Sequence, residues 1–129
     1  MLKLILALLL TVASVNANAE WQSLYSDDNF SIYADSSTLT RNGDLATMWT
    51  LYDFKVADNI PAGNQSQSEK TQKEYNCKKR EFRQLRTALY SGNMGKGTVL
   101  SDNQRVAEWM TFQKGSLNEL EWQAACGKD

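Results

Sequence analysis

The sequence predicts an α+β domain: a single antiparallel β-sheet of about five or six strands with one α-helix at its C-terminal end. Three observations point there. Short runs rich in aromatic and β-branched residues alternate with Asn, Asp and Gly turns. A capping-box pattern, Ser116-Leu117-Asn118-Glu119, stands near the end. The two cysteines, Cys77 and Cys126, follow a leader that would carry the chain out of the cytosol.

The leader comes first in the chain. Lys3 precedes an apolar run from Leu4 to Val12, and Ala17-Asn18-Ala19 supplies small residues at the positions that signal peptidase reads. Residues 1–19 are expected to be a cleaved secretory signal peptide, and residues 20–129 a single domain starting at Glu20. The run is too short for the roughly 20 residues of a membrane span. No cysteine lies near the cleavage site to take a lipid. The expected localisation is periplasmic, or secreted and at the cell surface.

About 110 residues remain, the usual size of one domain, and no repeat or linker divides them. The formal charge of -1 becomes -2 once Lys3 leaves, so the chain has no global attraction to nucleic acid. Histidine is absent, which removes His-based triads, metal sites and proton shuttles. No spacing among the carboxylates, hydroxyls and lysines suggests a nucleophile with its base, so neither an enzyme nor a cofactor is expected.

Trp21 to Ser26 and Phe30 to Ala34 read as a hairpin around Asp27-Asp28-Asn29. Asp35-Ser36-Ser37 reads as a turn leading into Thr38 to Arg41, and Asn42-Gly43-Asp44 as a tight turn. Leu45 to Lys55 carries Met48, Trp49, Leu51, Tyr52 and Phe54 on both faces, as a central strand does. Ala57 to Gln67, with the only proline, reads as an exposed connection.

Lys70 to Asn76 then leads into Cys77 to Tyr90, where Phe82, Leu85 and Leu89 recur at helical intervals. A helix fits nearly as well as a strand, but the surrounding hairpins favour a long, bulged strand. Ser91 to Gly97 is a Gly-rich connection; no Gly-Lys-Ser/Thr follows, so it lacks the phosphate-loop pattern. Thr98 to Leu100 and Val106 to Phe112 are expected as strands around Asp102-Asn103. The final helix starts at Ser116, with Glu119 reaching back to the Ser116 amide, and should pack Leu117, Leu120 and Ala124 on the sheet.

Two thiols in an exported chain most often pair, so a Cys77–Cys126 disulfide is expected. The alternative, a redox or metal pair, usually has close Cys-x-x-Cys spacing, which is missing. The candidate partner-binding residues are the cations of the central stretch: Lys78, Lys79, Arg80, Arg83 and Arg86. Together with Lys70 and Lys73 they meet only Glu74 and Glu81 in opposition. On one uninterrupted strand, Lys78, Arg80 and Arg86 would share a face with Phe82, and Lys79 and Arg83 would share the other with Leu85. Such charges serve either as a solvated edge that discourages strand pairing or as a docking patch.

Trp49 in a central strand, Glu74-Tyr75-Asn76-Cys77, the basic strand ending in Tyr90, Met94-Gly95-x-Gly97, Trp109, Gly115-Ser116 and Cys126 occur in an order that resembles the bacterial surface-adhesin protein E family. The resemblance implies a strongly bent antiparallel sheet with a C-terminal helix. It also implies binding of host extracellular-matrix proteins such as vitronectin and laminin. The expected partner is accordingly a protein or an acidic polysaccharide, with no nucleic acid and no membrane span. The other reading is a periplasmic accessory or inhibitor protein that docks on an envelope component.

Overall fold

Six strands follow one another across one antiparallel sheet, in chain order, and a short seventh pairs with the fifth. The computed structural model describes residues 20–59 and 65–127; the expected leader lies outside them. The strands are β1 (Trp21–Ser26), β2 (Phe30–Asn42), β3 (Leu45–Asn59), β4 (Gln65–Asn76), β5 (Glu81–Tyr90), β6 (Val99–Asn103) and β7 (Met110–Thr111). Among the described residues one helix, α1 (Leu117–Cys126), follows the strands.

The first turn forms as its composition predicts, because the Asp27 carboxylate accepts the amides of Asn29 and Phe30 at 2.7 and 3.0 Å. The Asn42-Gly43-Asp44 turn also forms, with Gly43 at φ +61° ahead of Asp44, the position that a type II′ hairpin turn reserves for glycine. β3 is central, paired with both β2 and β4. Met48 and Leu51, on its opposite faces, are both fully buried.

Asp35-Ser36-Ser37 differs from expectation. It is a bulge inside β2, where the pairing with β3 shifts between Asp35 and Thr40. The Asp35 carboxylate accepts the Ser37 amide at 3.0 Å, and the Thr38 hydroxyl accepts the Trp49 amide of β3 at 3.0 Å. Side chains thus take up hydrogen bonds that the ladder loses, and the strand continues past its turn-forming residues.

The expected connection at Ala57 to Gln67 is largely strand, since β3 runs to Asn59 and β4 begins at Gln65; residues 60–64 lie outside the described residues. The expected strand from Cys77 to Tyr90 is shorter, because Cys77 to Arg80 form a tight turn. Asn76 makes that turn: its side-chain oxygen accepts the Lys78 and Lys79 amides at 3.1 and 3.0 Å, and its carbonyl accepts the Arg80 amide at 3.1 Å. Beyond it the chain is β-strand, as the hairpin context favours, not helix. Strand β6 extends through Asp102-Asn103, and the expected strand at Val106 to Phe112 reduces to β7. There the Ala107 amide bonds to the Gln84 carbonyl at 2.9 Å.

The helix begins as the capping box predicts, with the Ser116 hydroxyl accepting the Glu119 amide at 3.2 Å. Glu119 reaches back one residue further than expected, to the Gly115 amide at 3.1 Å. The buried face also differs: Glu119, Glu121, Trp122 and Ala125 point inward, and Ala124 is exposed. Trp122 decides the rotation, since its large ring joins Met48, Tyr75, Phe82 and Ala46 in the core and its indole donates to the Asn76 carbonyl at 3.0 Å. The Cys77–Cys126 disulfide, with Cα atoms 5.4 Å apart, ties the β4–β5 turn to the helix end.

Candidate binding site

Helix α1 covers one face of the sheet, so the opposite face is where a partner can reach the strands. Register fixes what that face displays. Trp21, Asp35, Trp49, Gln72 and Arg86 pair in turn across β1 to β5, forming one row. The adjacent row runs Tyr33, Leu51, Lys70, Ala88 and Asp102 from β2 to β6.

These rows line a cleft of about 320 Å³ bordered by Trp21, Asp35, Thr38, Trp49, Lys70, Arg86, Ala88 and Tyr90. The Lys70 ammonium on β4 sits 5.9 Å from the Trp21 ring centre on β1, so these two long side chains meet across β2 and β3. The same ammonium is 5.3 Å from the Tyr90 ring centre. A cation between two aromatic faces is held electrostatically without a carboxylate, and Lys70 has no ion-pair or hydrogen-bond partner among the described residues.

The Gly-rich connection closes one end. Its short 3-10 turn, Asn93–Gly95, is anchored by the Met94 amide to the Asp53 carboxylate at 2.8 Å and by the Gly95 amide to the Ser68 hydroxyl at 2.9 Å. Gly95 has φ +68°, and a Cβ there would overlap Lys70 Cε. Glycine is therefore required twice, for the backbone and for the lysine stem.

Arg86 enters the cleft through a bulge. Register between β4 and β5 shifts so that Gln72 pairs with Arg86 but Lys73 pairs with Gln84, leaving Leu85 as the extra residue. The extra residue reverses the alternation and puts Arg83 and Arg86 on the same, uncovered face. The expected grouping of Arg86 with Phe82 is corrected accordingly: Phe82 points into the core under α1. Arg86 makes a two-pronged bond to Asp102, at 3.0 Å from Nε and 2.6 Å from Nη2. That bond raises the guanidinium pKa and holds the Asp102 carboxyl below its ordinary range.

The other cations of the stretch separate. Lys78 and Lys79 are exposed on the β4–β5 turn and have no carboxylate partner among the described residues. Arg80, on the same turn, folds over the Trp122 and Phe112 rings at 4.7 and 5.1 Å and pairs with Glu119. Arg83 pairs with Glu74 at 2.7 Å and stacks over Trp109 at 4.6 Å. Lys73 lies in the core, bonded to Glu121. The structure therefore divides the five candidates between a turn and a sheet face, and most of the local positive excess is neutralised by residues remote in sequence.

Trp21, Trp49, Lys70 and Tyr90 were not singled out from sequence as one site. Only pairing register brings them together, and two bulges shift it. Among the described residues no group of Cys, Asp and Glu could hold a metal ion, and no helix is long and apolar enough to cross a membrane.

No curated protein matches the chain in sequence. Solved structures do match in fold. Crystal form II of Haemophilus influenzae protein E has a TM-score of 0.68 at 15% identity, over 86% of this chain and 90% of that one. Another H. influenzae protein E structure has a TM-score of 0.65 at 15% identity, over 86% of both chains. Protein E from non-typeable H. influenzae gives 0.60 at 16%, over 87% of this chain and 78% of that one. The sequence pattern of the family described as surface-adhesin protein E matches residues 21–127, and with nearly all the described domain covered, the chain belongs to that family.

Proposed function

We propose that this chain is an exported, non-catalytic binding protein, maturing at Glu20 and displayed at the cell surface or secreted, where it binds extracellular-matrix material of a host. The observation that carries this reading is the sheet face opposite α1, where Trp21, Trp49 and Tyr90 line a cleft together with Lys70 and Arg86. Membership of an adhesin family supports it.

Two contact regions follow for the partner. The cleft face supplies Arg83 and Arg86, each already paired with a carboxylate, and the turn supplies Lys78 and Lys79, which are exposed and have no carboxylate partner among the described residues. Arg80 belongs to that turn but is committed to Glu119, so its share in binding is positional.

Binding carried by exposed charge weakens with salt, as the Debye length shrinks from about 10 Å at 0.1 M to about 3 Å at 1 M. The test is solid-phase binding of the mature protein to matrix proteins across that range, with Lys78→Gln/Lys79→Gln alongside, after fractionation of producing cells. Surface or secreted protein with salt-sensitive binding supports the reading. Protein confined to the periplasm without matrix binding overturns it in favour of an accessory role in the envelope.

A further inference from the structure

We propose that the cleft is a subsite for one uronic-acid unit of an acidic polysaccharide, with the sugar carboxylate on Lys70 and the ring packed against the aromatic walls. The inference deepens the binding function above and rests on it only for the idea that the sugar belongs to a matrix polymer.

The chemistry of the walls selects the ligand. At about 320 Å³ the cleft is at the small end of ligand sites, the size for a sugar unit and too small for a folded peptide element. Trp21, Trp49 and Tyr90 offer flat apolar faces, which suit the C–H face of a pyranose. Neither the Trp21 nor the Trp49 indole N–H has an acceptor among the described residues, in contrast to that of Trp122. Those donors remain for ring and hydroxyl oxygens.

The charges narrow the choice further. Lys70 is an ammonium placed beside two rings and Gly95 but neutralised by no carboxylate among the described residues, so its charge is open to a ligand carboxylate. Arg86 spends two of its donors on Asp102 and keeps the others. Asp35 is 2% exposed on the cleft wall, and its Oδ1 is occupied by Ser37. Its Oδ2 is not among the buried unpartnered atoms and stays free to accept from a ligand hydroxyl. A dianion such as a phosphate monoester would be attracted by Lys70 and repelled by Asp35. An acidic peptide supplies carboxylates and amide donors but no saturated ring to lie flat on the aromatic walls. A uronic acid meets all three demands, with one negative charge, several hydroxyl donors and an apolar ring face.

The experiment titrates the mature protein with a tetrasaccharide of alternating glucuronic acid and N-acetylglucosamine, with its carboxyl-reduced counterpart, and with a polyglutamate peptide. Binding is followed by calorimetry and by the indole N–H resonances of the four tryptophans. The expected result is binding of the acidic tetrasaccharide alone, with the Trp21 and Trp49 resonances shifted and that of Trp122 unmoved. Lys70→Gln should weaken it at least tenfold, and Lys114→Gln, at an exposed cation beside the start of α1, should leave it unchanged. Equal binding of the carboxyl-reduced sugar, a preference for the peptide, or no binding overturns the proposal. The indole shifts on wild-type protein decide the matter even if Lys70→Gln does not fold. Matrix-protein binding that persists without sugar binding sinks the subsite and leaves the general function standing.

Discussion

Lys73 Nζ lies 3.0 Å from Oε2 and 3.2 Å from Oε1 of Glu121, with both side chains almost wholly buried between β4 and α1. The ammonium also sits 5.4 to 5.5 Å from the Phe82 and Tyr52 ring centres. Two charges removed from water cost several kcal/mol each, and their attraction offsets this only while both are present. Lys73→Met alone should therefore lower stability by about 3–5 kcal/mol by stranding Glu121, and Glu121→Leu should do the same to Lys73. The double substitution should recover most of the loss. Urea denaturation of the three variants gives the coupling directly, and additive losses would show that the pair does not act as a unit.

The same cluster sets an alkaline limit. Burial, reinforced by the Glu121 carboxylate, pushes the phenols of Tyr52 and Tyr75 above their ordinary value. Below about pH 10 both are protonated whether folded or unfolded and add no pH dependence. Above it the unfolded chain releases protons that the folded chain keeps, so stability falls as pH rises, by up to about 1.4 kcal/mol per unit for each phenol. Phenolate absorbance of the native protein should fall at least two tyrosines short of the five in the chain until it unfolds. A full native phenolate signal would contradict this burial.

Tyr75 adds a separate test, because its hydroxyl is buried without a hydrogen-bond partner among the described residues. An unsatisfied buried hydroxyl costs about 1–3 kcal/mol. Tyr75→Phe keeps the ring in the core, so stability should stay level or rise by about 1 kcal/mol. A clear loss in the denaturation midpoint would mean that the hydroxyl has a partner.

How far these features could be read beforehand depended on whether their causes were local. Asp27, Gly43 and the Ser116 cap act within a few residues, so their turns and helix start were legible in sequence. Asn76 acts locally too, but the cations after it masked the turn it makes. The bulges at Asp35 and Leu85 depend on strand partners, and each changes which side chains share a face. Glu121 reads as solvent-facing until Lys73, 48 residues away, is placed beneath it. The Cys77–Cys126 pairing was accessible because only two thiols exist, whereas the cleft needs the register of five strands at once.

Gly95 and Gly43 make a matched pair for testing the cleft. Both have positive φ, at +68° and +61°, but a Cβ at Gly95 overlaps Lys70 while one at Gly43 meets nothing within 4 Å. Alanine should cost about 1 kcal/mol at either position through backbone strain alone. Lys70 is flexible enough to swing aside, so the added effect of Gly95→Ala should appear as displacement of the ammonium from Trp21. Tryptophan fluorescence should change with Gly95→Ala and not with Gly43→Ala. Identical spectra would mean that the glycine does not position the lysine.

Arg80 carries the last test, because it combines a strained backbone with a well-used side chain. Its φ is +53°, a left-handed conformation in which a β-carbon costs about 1 kcal/mol. Against that cost stand two ring contacts, each worth about 0.5–1 kcal/mol, and a half-exposed ion pair with Glu119 worth at most about 1 kcal/mol. Arg80→Ala removes these contacts and keeps the strain, so it should lower stability by about 1–3 kcal/mol. Arg80→Gly removes them and relieves the strain, so it should be more stable than the alanine variant by about 1 kcal/mol. If Arg80 acts chiefly by holding the turn to α1, matrix binding should follow this order of stability and recover where the fold is restored by lower temperature. Binding lost equally in both variants at full folding would instead place the guanidinium at the partner surface and break its assignment to Glu119 and Trp122.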